Sequence, residues 1–145
     1  MSRVSVGAEA VCAAPAETVF EVLTDWPRHI EWMPFTRAEG GRGVGAGLVG
    51  RTGVGPVGFT DAMVITEWAP GRRVAVRHTG RAVRGAARFE IVPRSGGGSV
   101  VLWTERLELP LGPVGRLGWA LLHRPVRAVM RLSLRRLARL AEGAR

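Results

Sequence analysis

The sequence has one cysteine, no tyrosine, and no lysine, asparagine or glutamine. A single cysteine excludes an internal disulfide, and Cys12 has no metal-ligand spacing with His29, His78 or His123, so no metal or other cofactor is expected. Cys12 reads instead as a small buried hydrophobe in a reducing, cytoplasmic setting. No uninterrupted apolar run reaches the roughly 18 residues of a spanning helix. The N-terminus is a poor export signal as well. Glu9 interrupts the apolar region, and Val4, Val6, Ala8, Ala10 and Cys12 alternate as a strand does.

Acidic residues are scarce at one end only. The net charge is +9, every basic residue being arginine, as a GC-rich coding bias produces. Residues 1–109 carry 13 Arg against 11 acids, whereas residues 110–145 carry 8 Arg against Glu142 alone. No aromatic ring is interleaved with arginine over residues 124–145, so nucleic acid is not the expected partner. A solvated helix face is expected there, or transient contact with an anionic membrane surface.

Nearly half of the 145 residues are apolar, enough for one domain over residues 1–145 with its own core. The strongest pattern is in the last third. On a helix over residues 116–142, Trp119, Leu122, Val126, Val129, Met130, Ser133, Leu137 and Leu140 share one face, with Arg124, Arg127, Arg131, Arg135 and Arg139 opposite. Pro125 removes a backbone donor, yet the stripe keeps its phase across it, so one bent helix or two collinear pieces are expected. Val4–Val11 reads as a first strand. Pro15 and Glu17 start a helix bearing Val19, Phe20 and Leu23, and Asp25-Trp26-Pro27 restarts a short one that Pro34 stops. Segments 46–53, 57–68, 72–79, 86–93 and 99–109 follow, separated by Gly/Pro turns. Strands joined so tightly pair antiparallel. The fold class is therefore α+β: a curved antiparallel sheet of about six or seven strands against a long C-terminal helix.

Three stretches carry a resemblance. They are Ala14-Pro15-Ala16-Glu17-Thr18-Val19-Phe20 leading to Asp25-Trp26; Trp32-Met33-Pro34; and Thr66-Glu67-Trp68-Ala69-Pro70-Gly71-Arg72-Arg73-Val74. With this element order, the chain resembles the helix-grip fold of the START-like, polyketide cyclase/dehydrase (SRPBCC) superfamily over nearly its whole length. That resemblance implies a cavity between sheet and helix. It also implies relatives ranging from aromatase/cyclases to lipid and hormone carriers. Ring cyclases of that superfamily use pocket tyrosines and an arginine. This chain has no tyrosine, and Trp68 falls at the arginine's place, which disfavours that chemistry.

Alternation sorts the strand faces. Val74, Val76 and His78 share one face, as do Ala87, Phe89 and Ile91, and Val101, Trp103, Glu105 and Leu107. On segment 57–68 the resemblance puts the Val64, Thr66 and Trp68 side inward, leaving Phe59, Asp61, Met63 and Ile65 outside, where Phe59, Met63 and Ile65 offer an alternative interaction surface. The expected cavity is lined by Trp68, Val76, Phe89, Trp103, Trp119, Val126 and Met130, with Thr66, Ser133, His78 and Glu105 as sparse polar points. Such walls suit a hydrophobic small molecule: a lipid, an isoprenoid or a polyketide-like compound. The alternative is an enzyme of the cyclase/dehydrase type. In it Glu105, desolvated beside Trp103, and His78 exchange protons with a bound carbonyl compound.

Overall fold

A computed structural model describes residues 2–144. The first strand, β1 (Ser2–Cys12), is followed by α1 (Ala16–Leu23) and a 3-10 helix (Trp26–Glu31). Six strands come next: β2 (Thr36–Gly40), β3 (Gly47–Val54), β4 (Val57–Ala69), β5 (Arg73–His78), β6 (Gly85–Pro93) and β7 (Ser99–Leu109). The chain ends in α2 (Pro113–Gly143), one helix that runs through Pro125. All strands form a seven-stranded sheet in the order β1-β7-β6-β5-β4-β3-β2, every pair antiparallel. The chain must cross from one sheet edge to the other between β1 and β2. The two short helices make that crossing, α1 packing on α2 and the 3-10 helix on β2. Strand β2, Thr-Arg-Ala-Glu-Gly, lacks the apolar alternation that marks the other strands, and pattern alone does not separate it.

The core sits between the sheet, α1 and α2. Phe20, Leu23, Trp32, Val101, Leu134 and Leu137 are wholly buried in it, each contributing roughly 1.5–3 kcal/mol by burial. A second cluster, Trp26, Leu48, Ile65, Val76 and Ala87, fills the β3–β6 side, and Trp68 packs against both. Cys12 is buried, its Sγ donating to the Ala138 carbonyl at 3.5 Å, so it ties β1 to α2.

Two sequence expectations need correction. Helix α2 is in place, but its buried face is Met130, Ser133, Leu134, Leu137, Ala138 and Ala141. Leu122 and Val129, expected in the stripe, are exposed, because apolar residues ring the helix more widely than one face. Strand β4 also departs from simple alternation. A β-bulge between Ile65 and Glu67 absorbs one residue, Thr66, and reverses the phase beyond it. Ile65 and Trp68, three residues apart, therefore both face inward, opposite Val76 and Val74. Thr66 is exposed, and Asp61, Met63 and Ile65 lie on the inner side rather than outside.

Candidate functional site

The inner face of the sheet carries an aromatic row. Phe89 and Trp103 stack across the β6–β7 pair with ring centroids 4.9 Å apart, and Trp32 meets Phe89 edge-on at 6.1 Å. Trp68 contacts Phe20 at 5.2 Å and Trp26 at 6.4 Å, and the Arg42 guanidinium lies 5.0 Å above its ring. These rings occupy much of the space expected between sheet and helix. Trp68, Phe89, Trp119 and Val126 remain half-buried, whereas Val76, Trp103 and Met130 are buried. Ser133 is buried too, but its Oγ donates to the Val129 carbonyl at 2.8 Å within its own helix. Two depressions of about 570 and 460 Å³ lie elsewhere. One is bordered by α1, the 3-10 helix and Arg42, the other by the β1 end and the β6–β7 turn.

Along the strands beyond the aromatics three charged groups converge: Glu105 in the next row, His78 in the row after it and Asp61 beyond that. His78 Nδ1 lies 2.8 Å from Asp61 Oδ1, and His78 Nε2 lies 3.0 Å from Glu105 Oε1. The Trp103 indole donates to the other Glu105 oxygen at 2.8 Å. The three come from three strands, and β6 makes the reach possible. His78 pairs with Gly85 and Glu105 with Ala87, so no bulky side chain stands between them. Gly85 has a backbone φ of +124°, and a Cβ there would lie 1.9 Å from the Arg106 carbonyl oxygen, so glycine is required on both counts. Asp61 reaches His78 only because the bulge leaves it on the inner face.

The charge state follows from this clamp. Burial alone would lower the His78 pKa, but hydrogen bonds to Asp61 and Glu105, with their negative charges, outweigh it and raise it to about 9. At neutral pH the ring is an imidazolium donating from both nitrogens. Its side chain is 4% exposed, against 18% for Asp61 and 14% for Glu105. The triad of one cation and two carboxylates keeps a net negative charge at the rim of an apolar interior. The structure thus brings together His78 and Glu105, adds Asp61, and leaves Thr66 out. No sequence signal placed Asp61, because nothing in the residue pattern marks the bulge. Among the described residues no cluster of His, Cys, Asp and Glu is arranged to hold a metal ion.

The sequence profile of the polyketide cyclase / dehydrase and lipid transport family matches residues 3–142, and the chain belongs to that family. Solved structures agree on the fold. The Zhui aromatase/cyclase of Streptomyces sp. R1128 superposes with a TM-score of 0.80 at 18% identity, over 97% of this chain and 94% of that one. A protein of Thermus thermophilus gives 0.79 at 20% identity, over 97% and 99%. A norcoclaurine synthase of Thalictrum flavum gives 0.71 at 16%, over 99% and 96%. A search of curated proteins finds no match. The seven-stranded sheet with its long C-terminal helix is the helix-grip fold.

Proposed function

We propose that the protein binds a hydrophobic small molecule (a lipid, an isoprenoid or a polyketide-like compound) between the sheet and α2, in a cytoplasmic setting. The carrying observation is the juxtaposition of the half-buried rings Trp68 and Phe89 with the triad Asp61, His78 and Glu105. Apolar walls beside a few orienting groups are what a small-molecule site requires. Phe89 and Trp68 form the sheet-side wall against which a guest packs, and Trp119 and Val126 on α2 form the opposite wall. The exposed arginines of α2 support loading from an anionic membrane surface. The expected outcome of titration with 1-anilinonaphthalene-8-sulfonate is saturable binding of one probe per chain, weakened about tenfold by Phe89→Ser. Absence of saturable binding, or a Phe89→Ser variant that binds as well as the parent, would falsify this reading.

The same triad favours a second reading, proton transfer to or from a bound carbonyl compound by Glu105 and His78. Both imidazole nitrogens are held by carboxylates, so a substrate must displace one of them before a proton can move. If Glu105→Gln and His78→Ala leave turnover of an identified substrate unchanged, that mechanism is wrong.

A further inference from the structure

Pairing register puts several chain segments at one end of the sheet. Ser2 pairs with Leu109, Leu107 with Gly85, Gly85 with His78, and His78 with Met63. Beyond that line lie the β3–β4 hairpin tip, the β5–β6 loop and the start of α2. The triad straddles this line, with Glu105 inside it, His78 on it and Asp61 beyond. Apolar side chains of the hairpin tip and of α2 are uncovered there. Val57 at the hairpin tip is 75% exposed, and Leu117 and Leu121 on α2 are 65% and 72% exposed.

Of the exposed large apolar residues on α2, Leu122 and Val129 lie to one side and the others share a stripe. Val114, Leu117, Leu121 and Leu132 recur at spacings of three, four and eleven, which aligns them on one stripe at 3.6 residues per turn. This stripe lies opposite the buried one of Met130, Leu134, Leu137 and Ala141. Exposed Arg124 follows Leu121 by one turn, and exposed Arg131 and Arg135 continue this flank towards the other end of the sheet, where Ala138 meets Cys12. A helix with a basic flank beside an uncovered leucine row meets the requirements of an interfacial helix: the apolar row enters the acyl boundary and the guanidinium groups stay among anionic headgroups. The loop arginines Arg81 and Arg84, exposed at the same end of the sheet, add to the positive field.

We infer that this end of the sheet is a docking surface for an anionic lipid membrane. Leu117 and Leu121 from α2 and Val57 and Phe59 from β4 enter the bilayer boundary, and Arg81, Arg84 and Arg124 meet the headgroups. Charge decides the occupant. A second copy of the chain would bring two faces from the segment carrying 8 Arg and one Glu together, with like charges opposed. An acidic protein partner would satisfy the arginines, but would leave the uncovered Val57, Leu117 and Leu121 in water. The inference specifies the membrane contact proposed above and rests on it. It does not depend on a guest in the interior.

The test is co-sedimentation of the full chain with vesicles of phosphatidylcholine, with and without phosphatidylglycerol. Expected is binding that needs phosphatidylglycerol, weakens as salt rises, and falls about tenfold or more in the Leu117→Ser/Leu121→Ser double variant. Both leucines are exposed, so the variant should keep the parent's circular dichroism and melting temperature. The inference is overturned if the parent fails to bind phosphatidylglycerol vesicles. It is equally overturned if the double variant binds as well as the parent, or if sedimentation equilibrium shows a dimer that the double variant dissolves. Dye binding in the interior is measured without vesicles, so failure of either reading is seen separately.

Discussion

Replacing His78 with leucine is expected to cost about 3–5 kcal/mol of folding stability, read from urea unfolding at pH 7. Asp61 and Glu105 would then face each other across a mostly dry space with no cation between them. A buried ion network is weak evidence of net stability, but removing one partner strands the remaining charges. For a chain of this size the loss corresponds to a fall of roughly 10 °C or more in melting temperature. Adding Asp61→Asn and Glu105→Gln to the same variant removes the stranded charges and should restore a large part of the loss. A His78→Leu cost below about 1 kcal/mol would mean that the three groups are not coupled as their distances indicate.

The same clamp sets a pH dependence. The folded-state pKa of His78, about 9, lies above its ordinary 6.5, so its stabilisation is complete below 6.5 and fades as pH rises through 9. His29 behaves oppositely. Burial lowers its pKa to about 4, even though its Nε2–H donates to the Leu23 carbonyl at 2.9 Å and Asp25 is near. Its contribution is complete above 6.5 and fades as pH falls towards 4. As far as these two groups govern it, melting temperature should peak near pH 6.5, and His78→Leu should remove the alkaline decline while leaving the acid one.

The second large effect is at Trp32. Its side chain is wholly buried, against His29 at 4.6 Å and Phe89 at 6.1 Å between ring centroids. Trp32→Ala should cost about 3–5 kcal/mol through the lost contact and the cavity left behind. Trp32→Phe should cost far less, about 1 kcal/mol. The buried indole N–H has no hydrogen-bond partner among the described residues, so its removal relieves a desolvated donor while a ring is retained. Chemical denaturation of the two variants side by side distinguishes them. If phenylalanine is as damaging as alanine, the indole N–H is being satisfied by a group bound inside the core.

Periodicity carried the sequence reading where side chains obey it and failed where the backbone breaks phase. Strands β5, β6 and β7 alternate without interruption, so the inward positions of His78, Phe89, Trp103 and Glu105 were legible from residue order alone. Strand β4 alternates on both sides of Thr66, but with opposite phase. A bulge of one residue exchanges inner for outer positions and leaves no mark in composition. It hid Asp61, the third member of the triad, and put Thr66 in the wrong place. Helix α2 posed the converse difficulty. Its apolar residues are too numerous for one face, and only tertiary packing selects Leu134 for the core over Leu122 and Val129. That surplus is visible in the sequence, but its division between core and surface is set by the sheet and α1 packed against one side of the helix.

The decisive measurement is native mass spectrometry of the protein isolated, without denaturation, from the cells that make it. One apolar organic molecule retained per chain, and shed by a Phe89→Ser variant prepared the same way, is the outcome expected if aromatic rings and the charged triad together form a guest chamber. A chain that flies bare, and that takes up nothing from a panel of fatty acids, isoprenoids and aromatic polyketides, would contradict it.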